Sequence, residues 1–486
     1  MIEDLIGIAF YASTALTLLI LLLPSQYEPK HGQERSPGSA LSQAKASAQI
    51  LVLGDIGRSP RMQYHALSIA KHGGQVDIIG YHGEPNTIIW LICSLESALY
   101  VNTSCLIESE IHPDVSSSPR ISIVPIPPHP AFLQTNNRLL FLLFAPLKVV
   151  FQIACLWRCL AYQTKPTNWL LVQNPPSIPT LVIASFVCFL RHTNLLIDWH
   201  NFGYSILALK LGEHHPVVRF STWYERTFCK YATAHLCVTD AMVSVLKKDF
   251  ALQAPILPLH DRPASHLKPI TDGQVRKGVI KSLPESSSFG SPEAENFNIL
   301  VSSTSWTADE DFSLLIDALC QYSTLATTTK SSLPTVLAII TGKGPQRERY
   351  LKKISDLEDA GRLKKVNIRT AWLSTEDYAK LLAIASLGVS LHTSSSGVDL
   401  PMKVVDMFGA GLPVVGWNRF EAWPELVTEG VNGRGFGSAG DLVEQLVDLF
   451  GNPLKLETLR AGALKESSRR WDDEWDPVAG RLLGLV

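Results

Sequence analysis

Short apolar runs alternate with amphipathic stretches along most of this chain. Residues 49–53 and 76–81 are apolar and β-branched, and they flank SPRMQYHALSIAKHGG, giving strand, loop, helix, strand. Ser59 is placed to cap that helix, Pro60 suits its first position, and Gly73 with Gly74 ends it. Further strands are predicted at 121–126, 169–173, 194–199 and 235–239. From about Ala264 to Asn296 the chain turns polar and closes on SLPESSSFGSPEAEN, which reads as an interdomain linker or surface insertion. The alternation then restarts, with strands predicted at 298–303, 335–341, 366–371, 387–393 and 412–417. Strands alternating with helices predict an α/β fold: two doubly wound domains, each a mostly parallel sheet covered by helices, facing across a cleft. Ligands of such sheets bind beyond the carboxyl ends of the strands, so chemistry belongs in the strand-to-helix loops.

Two stretches break this rhythm. Leu5 to Leu23, LIGIAFYASTALTLLILLL, carries no charge and would span about 28 Å as a helix, the depth of a bilayer core. Its MIED start and its end at Pro24 lack the basic start and small-residue cleavage site of a removable signal, so residues 1–24 are expected to be a retained anchor and 25–47 a tether. Glu3 and Asp4 precede the run while Lys30, Arg35 and Lys45 follow it, which leaves the body of the protein cytosolic. The sequon Asn102-Thr103-Ser104 is then unmodified. The second stretch, Leu139 to Leu160, is interrupted by Pro146, Lys148 and Arg158 and reads either as a core helix or as one lying along an interface.

At 486 residues and 53.5 kDa the chain suits two domains with additions. With 46% hydrophobic and 18% charged residues it is neither disordered nor fibrous. A formal charge of -2 gives no general attraction to nucleic acid or anionic lipid, so no nucleic-acid partner is expected and any anion site is local. The eight cysteines form no CxxC pair and have no histidines at zinc spacing, as expected of buried free thiols.

The most informative stretch is Leu391 to Val415, LHTSSSGVDLPMKVVDMFGAGLPVV, in which a strand empties into small polar residues and a helix begins at Pro401. Backbone N–H groups and the helix dipole suit a diphosphate there, but the dipole contributes only about 0.3–1 kcal/mol at an exposed site, so a cation is needed as well. Lys403 and Asp406 are three apart and share a helix face. One can meet phosphate while the other takes two sugar hydroxyls, at about 1.5–3 kcal/mol for a charged hydrogen bond. An ordinary i,i+3 ion pair is the alternative.

The pattern P-x-K-x-x-D-x-x-x-x-G-x-P-V-V, spelled by Pro401, Lys403, Asp406, Gly411, Pro413, Val414 and Val415, resembles the nucleotide-sugar motif of GT-B glycosyltransferases, with Asp406 a shorter substitute for the usual ribose-holding Glu. The strings GDIGRSPRMQYHALSIA (54–70), IDWHNFGYS (197–205), SSTSWTADEDF (302–312), ITGKGP (340–345) and LHTSSSGVDLPMKVVDMFG (391–409) closely resemble the chitobiosyldiphosphodolichol beta-mannosyltransferase family. The resemblance implies GT-B architecture with two Rossmann-like domains, 48–263 for the acceptor and 297–465 for GDP-mannose, joined by 264–296, with a tail at 466–486 that can cross back. It implies inverting transfer of the first β-1,4-mannose from GDP-mannose to GlcNAc2-diphosphodolichol, at the endoplasmic reticulum membrane and alongside other mannosyltransferases of the same pathway. No cofactor is obligatory, no metal site is expected, and stimulation by Mg2+ is left open. A different acceptor, or a noncatalytic scaffold of the same fold, are the rival readings at this stage.

Within that resemblance the donor residues are Lys403, Asp406, Asp399, Ser396, Ser305, Gly342 and Lys343. Many relatives carry two acidic residues eight apart around the 401 helix; here position 398 is Val and Asp399 stands seven before Asp406, so Asp399 either meets mannose hydroxyls or caps its loop. Thr341 to Pro345 is the second donor loop, or plain Gly-Pro turn punctuation. Asp309-Glu310-Asp311 imitates a D-x-D metal motif, but Thr307 to Glu310 reads as a capping box, and the Ser302 to Trp306 loop is the better donor candidate. On the acceptor side, Gly54 and Gly57 permit close backbone approach while Arg58 or Arg61 offers a phosphate fork. Asp55, Asp198 and His200 are the acid-base candidates, and His200 is either a working base or a core histidine satisfied by Asp198.

Overall fold

The computed structural model describes residues 45–82, 111–130, 138–272, 297–307 and 310–486, with a few isolated positions besides. The sequon at Asn102, the low-complexity run 282–296 and most of the Leu5–Leu23 run lie outside the described residues. The chain divides into two compact units: one comprises Met1–Cys237, Val243–Leu259 and Trp475–Val486, the other Val238–Met242 and His260–Glu474.

In the first unit β1 (Ser47–Asp55), β2 (Gln75–Tyr81), β3 (Ile121–Pro125), β4 (Trp169–Asn174), β5 (Asn194–Trp199), β6 (Ala234–Cys237) and β7 (Ile256–Pro258) form a parallel sheet in the order β3-β2-β1-β4-β5-β6-β7. Helices on both faces bury these strands, which is why β1 reads as a continuous apolar run rather than an alternation. The second unit repeats the plan with β8 (Phe297–Ser303), β9 (Thr335–Thr341), β10 (Val366–Ala371), β11 (Leu387–Ser390), β12 (Val414–Trp417) and β13 (Gly433–Phe436), in the order β10-β9-β8-β11-β12-β13. Its core gathers Leu300, Ile340, Val389 and Val415 from the strands with Phe312, Leu319 and Leu446 from the helical side. In each sheet the chain runs outward on one side of its first strand and then returns to the other. The reversal falls between β1 and β4 and between β8 and β11, and beyond the strand ends at such a point a ligand crevice opens.

Every predicted strand forms, while β7 and β13 add to the prediction. β7 is a three-residue strand ending in proline, and Gly433-Arg434-Gly435-Phe436 carries no β-branched residue. The strand expected to run to 393 stops at Ser390, where the polar loop begins. Ser59 does stand at the N-cap of the helix Pro60–Lys71, but its hydroxyl donates to the Asp55 carbonyl (3.3 Å) rather than accepting from the helix.

The second apolar stretch forms a helix, Arg138–Arg158, continued by a π-helical turn, Cys159–Gln163. Its Phe144–Gln163 portion is long and apolar enough to cross a membrane by length and composition. One side nevertheless packs into the first unit: Leu156, Cys159 and Leu160 are wholly buried, and Trp157 stacks on Phe186 at 5.7 Å. Leu147 and Val150 are exposed. Cys155, Cys159, Cys188, Cys229, Cys237 and Cys320 are buried free thiols, as expected; Cys93 and Cys105 lie outside the described residues.

Candidate functional site

At the switch point of the second unit the ends of β8, β9 and β11 open into the loops 304–307, 342–346 and 391–401, the last leading into the helix Met402–Gly409. Glu310 fastens these parts together. It is 3% exposed; one carboxylate oxygen accepts from the Thr304 hydroxyl (2.5 Å) and the Ser305 N–H (2.9 Å), and the other pairs with the Lys403 ammonium. The capping box expected at Thr307–Glu310 therefore does not form. The helix begins at Ser313, whose N–H is taken by Asp311 (3.0 Å), because Glu310 is drawn inward by stronger partners. The i,i+3 pairing of Lys403 with Asp406 is absent for the same reason. Lys403 is left partly exposed in the first turn of the 402–409 helix, a place where a cation and the helix dipole both favour an anion.

The 304–307 and 342–346 loops meet backbone to backbone. A Cβ at Gly342, whose φ is +129°, would fall 1.8 Å from the Thr304 carbonyl oxygen, and one at Gly344 would fall 1.7 Å from that of Ser305. Trp306 adopts φ +50°, costly for a bulky residue, and is held there by its indole N–H donating to Gly342 O (3.1 Å), by its backbone N–H donating to Thr304 Oγ1 (2.9 Å) and by its ring against Phe312. Ser305, Gly342 and Lys403 are thus brought together through Glu310 and this loop contact. Lys343 lies instead over the Trp372 ring, 4.2 Å from its centroid.

Asp406 lies on the same helix as Lys403. Among the described residues nothing hydrogen-bonds its carboxyl, and burial, with the Asp261 carboxylate behind it, pushes its pKa up to about 7. Burial and then Asp406 likewise raise Tyr378, whose hydroxyl pairs with Ser303 Oγ at 2.9 Å. Of its two readings Asp399 takes the loop-capping one: it accepts from His392 Nε2 (3.0 Å), the Ser394 hydroxyl and the Ser396 hydroxyl (3.3 Å), so it and Ser396 hold the shape of the 392–399 loop.

In the first unit Asp55 caps its own turn, accepting from Gly57 N–H (3.0 Å) with Arg58 Nε at 3.6 Å. A Cβ at Gly54 would meet only the Val52 side chain at 3.9 Å, so internal packing does not demand a glycine there. Arg58 is 56% exposed. Arg61, expected as its equivalent, is buried and cannot meet a phosphate: Nε and Nη2 fork onto Asp198 (2.7 and 2.9 Å) and Nη1 donates to Leu259 O (2.9 Å). Asp198, fully buried at the end of β5, also receives His65 Nε2 (3.2 Å) and His200 Nε2 (3.0 Å). Burial opposes its ionisation, but Arg61 first and then His200 and His65 outweigh that and hold it well below the usual carboxylate range. Asp198 is accordingly an anchored anion rather than a proton carrier, which corrects its place among the acid-base candidates. Because an ionised carboxylate only accepts, His200 must present Nε2–H to it, which leaves Nδ1 to take a proton on a side chain that is 24% exposed.

The sequence reading gave Glu310 only a helix-capping role and passed over Tyr378, His65 and Trp475. His65 had a signal: it stands four after Arg61 on the inner face of one helix. Asp240, His260 and Glu425 bring ligand atoms within 4.8 Å of one another, but Glu425 already accepts from the N–H groups of Asp240 and Ala241 (both 2.7 Å) and hydrogen-bonds with His260 (3.0 Å), a helix cap closed by a histidine contact.

Two doubly wound units, with an anion-ready helix start and loop cluster in the second, define a glycosyltransferase of the GT-B type. Residues 298–452 match the family described as Glycosyl transferases group 1. The fold is similar to Anabaena HepE in complex with UDP and glucose (TM-score 0.56, 16% identity, 90% of this chain and 99% of that one). It is also similar to sucrose-phosphate synthase of Thermosynechococcus elongatus (TM-score 0.58, 12% identity, 91% and 98%). In sequence the chain is 56% identical over 383 residues to the chitobiosyldiphosphodolichol beta-mannosyltransferase of Arthroderma benhamiae, covering 78% of this chain and 85% of that one. It is 40% identical over 481 residues to the protein of that name from Yarrowia lipolytica, covering 98% and 95%. An Arabidopsis thaliana relative, 38% identical over 91% of this chain and 98% of its own, is named UDP-glycosyltransferase TURAN. The chain belongs to the chitobiosyldiphosphodolichol beta-mannosyltransferase family.

Proposed function

We propose that this enzyme transfers one mannose from GDP-mannose to GlcNAc2-diphosphodolichol, forming a β-1,4 bond at the cytosolic face of the endoplasmic reticulum membrane. The observation that carries the reading is 40% identity across 98% of the chain to a relative named for that acceptor and for beta-mannosyl transfer. A dolichol-linked acceptor makes the enzyme membrane-associated, and the uncharged Leu5–Leu23 run suits a single anchor.

The donor is α-linked and the product β-linked, so one in-line displacement with an oxocarbenium-like transition state accounts for inversion. The acceptor hydroxyl oxygen bonds to C1, the bond from C1 to the diphosphate oxygen breaks, and the electron pair leaves with GDP. Lys403 and the start of the 402–409 helix meet the growing charge on the diphosphate, preorganised by Glu310. Asp406, with no internal partner among the described residues, takes the ribose hydroxyls. His200 Nδ1 accepts the hydroxyl proton, and Asp198 stabilises the imidazolium that results; a base of this kind contributes about 10²–10⁴-fold. Arg58, exposed beside the Asp55 turn, suits the acceptor diphosphate. This assignment places the positive charge on the protein itself and requires no metal, so enzyme dialysed against EDTA should keep most of its turnover.

The relative named a UDP-glycosyltransferase makes the donor the point to test. Full-length protein in detergent is given phytanyl-diphosphate chitobiose with either GDP-[³H]mannose or UDP-[³H]glucose. Label should enter a β-mannosidase-sensitive lipid from GDP-mannose alone. Transfer from UDP-glucose only would overturn the donor, and no transfer to this lipid from either would overturn the acceptor.

A further inference from the structure

We propose that the C-terminal tail is a working part of the first-unit site: the Trp475 indole, through His65, fixes the hydrogen-bond state of Asp198 and so positions His200. The inference rests on the reading of His200 as the base. An indole nitrogen only donates, and Trp475 Nε1 lies 2.9 Å from His65 Nδ1, so Nδ1 must accept and the proton of His65 must sit on Nε2, facing Asp198 Oδ2 at 3.2 Å. The other tautomer would aim a lone pair at the carboxylate. Oδ2 then carries three donors, Arg61 Nε, His65 and His200, while Oδ1 takes Arg61 Nη2, so the direction open to the His200 N–H is narrow. Burial lowers the pKa of His65, in keeping with a neutral ring.

The indole is itself clamped. It is wholly buried, stacks on His72 (5.7 Å, 10° between planes), and lies against Gly480, where an added Cβ would come within 3.1 Å of the ring. His72 in turn pairs with Asp476 at 2.9 Å, within the same tail. Packing alone would be served by any large apolar ring. A lone N–H aimed at a buried imidazole that touches the essential carboxylate does more than fill space. Trp475 and His65 are therefore positioning residues, and the segment from Trp475 completes a site whose other members, Arg61, His65, Asp198 and His200, lie in the first half of the chain.

The test is a double-mutant cycle on full-length enzyme, with kcat and the KM for GDP-mannose measured in the wild type, Trp475→Phe, His200→Ala and the double variant. Trp475→Phe keeps a ring and removes the N–H. It should lower kcat about tenfold with the donor KM unchanged, yet lower it less than twofold in the His200→Ala background. An equal loss in both backgrounds, or no loss in either, overturns the tail's role. Wild-type turnover by His200→Ala would instead overturn the base on which the inference rests. Should Trp475→Phe fail to fold, His65 carries the test. His65→Gln can still offer an amide N–H to Asp198 and should retain at least fivefold more kcat than His65→Leu; equal loss in the two contradicts the proposal.

Discussion

Arg58 and Arg61 stand three residues apart and have opposite fates. Arg58 ends the short turn Ile56–Arg58 and stays exposed, whereas Arg61 is inside the helix Pro60–Lys71, one turn before His65 on its inner face, and both Arg61 and His65 reach Asp198. Removing one partner of a buried ion pair costs about 3–5 kcal/mol. Arg61→Ala should therefore lower the melting temperature by many degrees, whereas Arg58→Ala should leave melting unchanged and raise the acceptor KM. Lys403 was legible from its motif, but its partner Glu310, 93 residues away, was not, because sequence spacing carries no information about a contact of that range. Lys403→Ala should cut turnover roughly 10²-fold or more, as loss of a preorganised charge does, and should lower melting less than Arg61→Ala does, because Lys403 is partly exposed and Glu310 keeps the Thr304 hydroxyl and Ser305 N–H. Asp406 adds a pH dependence. Its raised pKa of about 7 means the carboxyl gains a proton as pH falls through neutrality, and the protonated form is the poorer acceptor for two hydroxyls. Donor KM should rise below about pH 7 in the wild type and be flat with pH, though higher, in Asp406→Asn; a wild-type KM flat from pH 6 to 8 would count against the ribose assignment.

At the scale of elements, the parallel strands were readable because burial on both faces leaves an uninterrupted apolar run between polar loops. β13 escaped because its glycine-rich four residues carry no such signal, and the capping box over Thr307–Glu310 misled because a local pattern lost to a distant lysine. The TGKGP loop shows the reverse. Its glycines read as turn punctuation or donor contact, and the structure adds that they let the 342–344 backbone lie directly on that of Thr304 and Ser305. Gly342→Ala cannot be accommodated without separating these loops. It should raise the donor KM at least tenfold, with a modest fall in melting temperature because the core strands are untouched. Unchanged donor kinetics would show that the loop contact does not shape the donor site.

Across the whole molecule, two sheets share one winding order, and the proposed mechanism draws its diphosphate and ribose groups from the second unit and its base from the first. The positions of most of the strands along the chain, the helix start at Pro401 and the string IDWHN were all visible in the sequence, whereas the order of the strands within each sheet was not. The closure of the first-unit site by Trp475 was not, since 410 residues separate it from His65. The central claim is that Lys403 and Asp406 hold the nucleotide diphosphate and ribose of the donor. Calorimetric titration of GDP into full-length wild type, Lys403→Ala and Asp406→Asn at pH 8 tests it most directly. The account predicts at least tenfold weaker binding by each variant while both still melt cooperatively, and equal GDP affinity in all three proteins would contradict it.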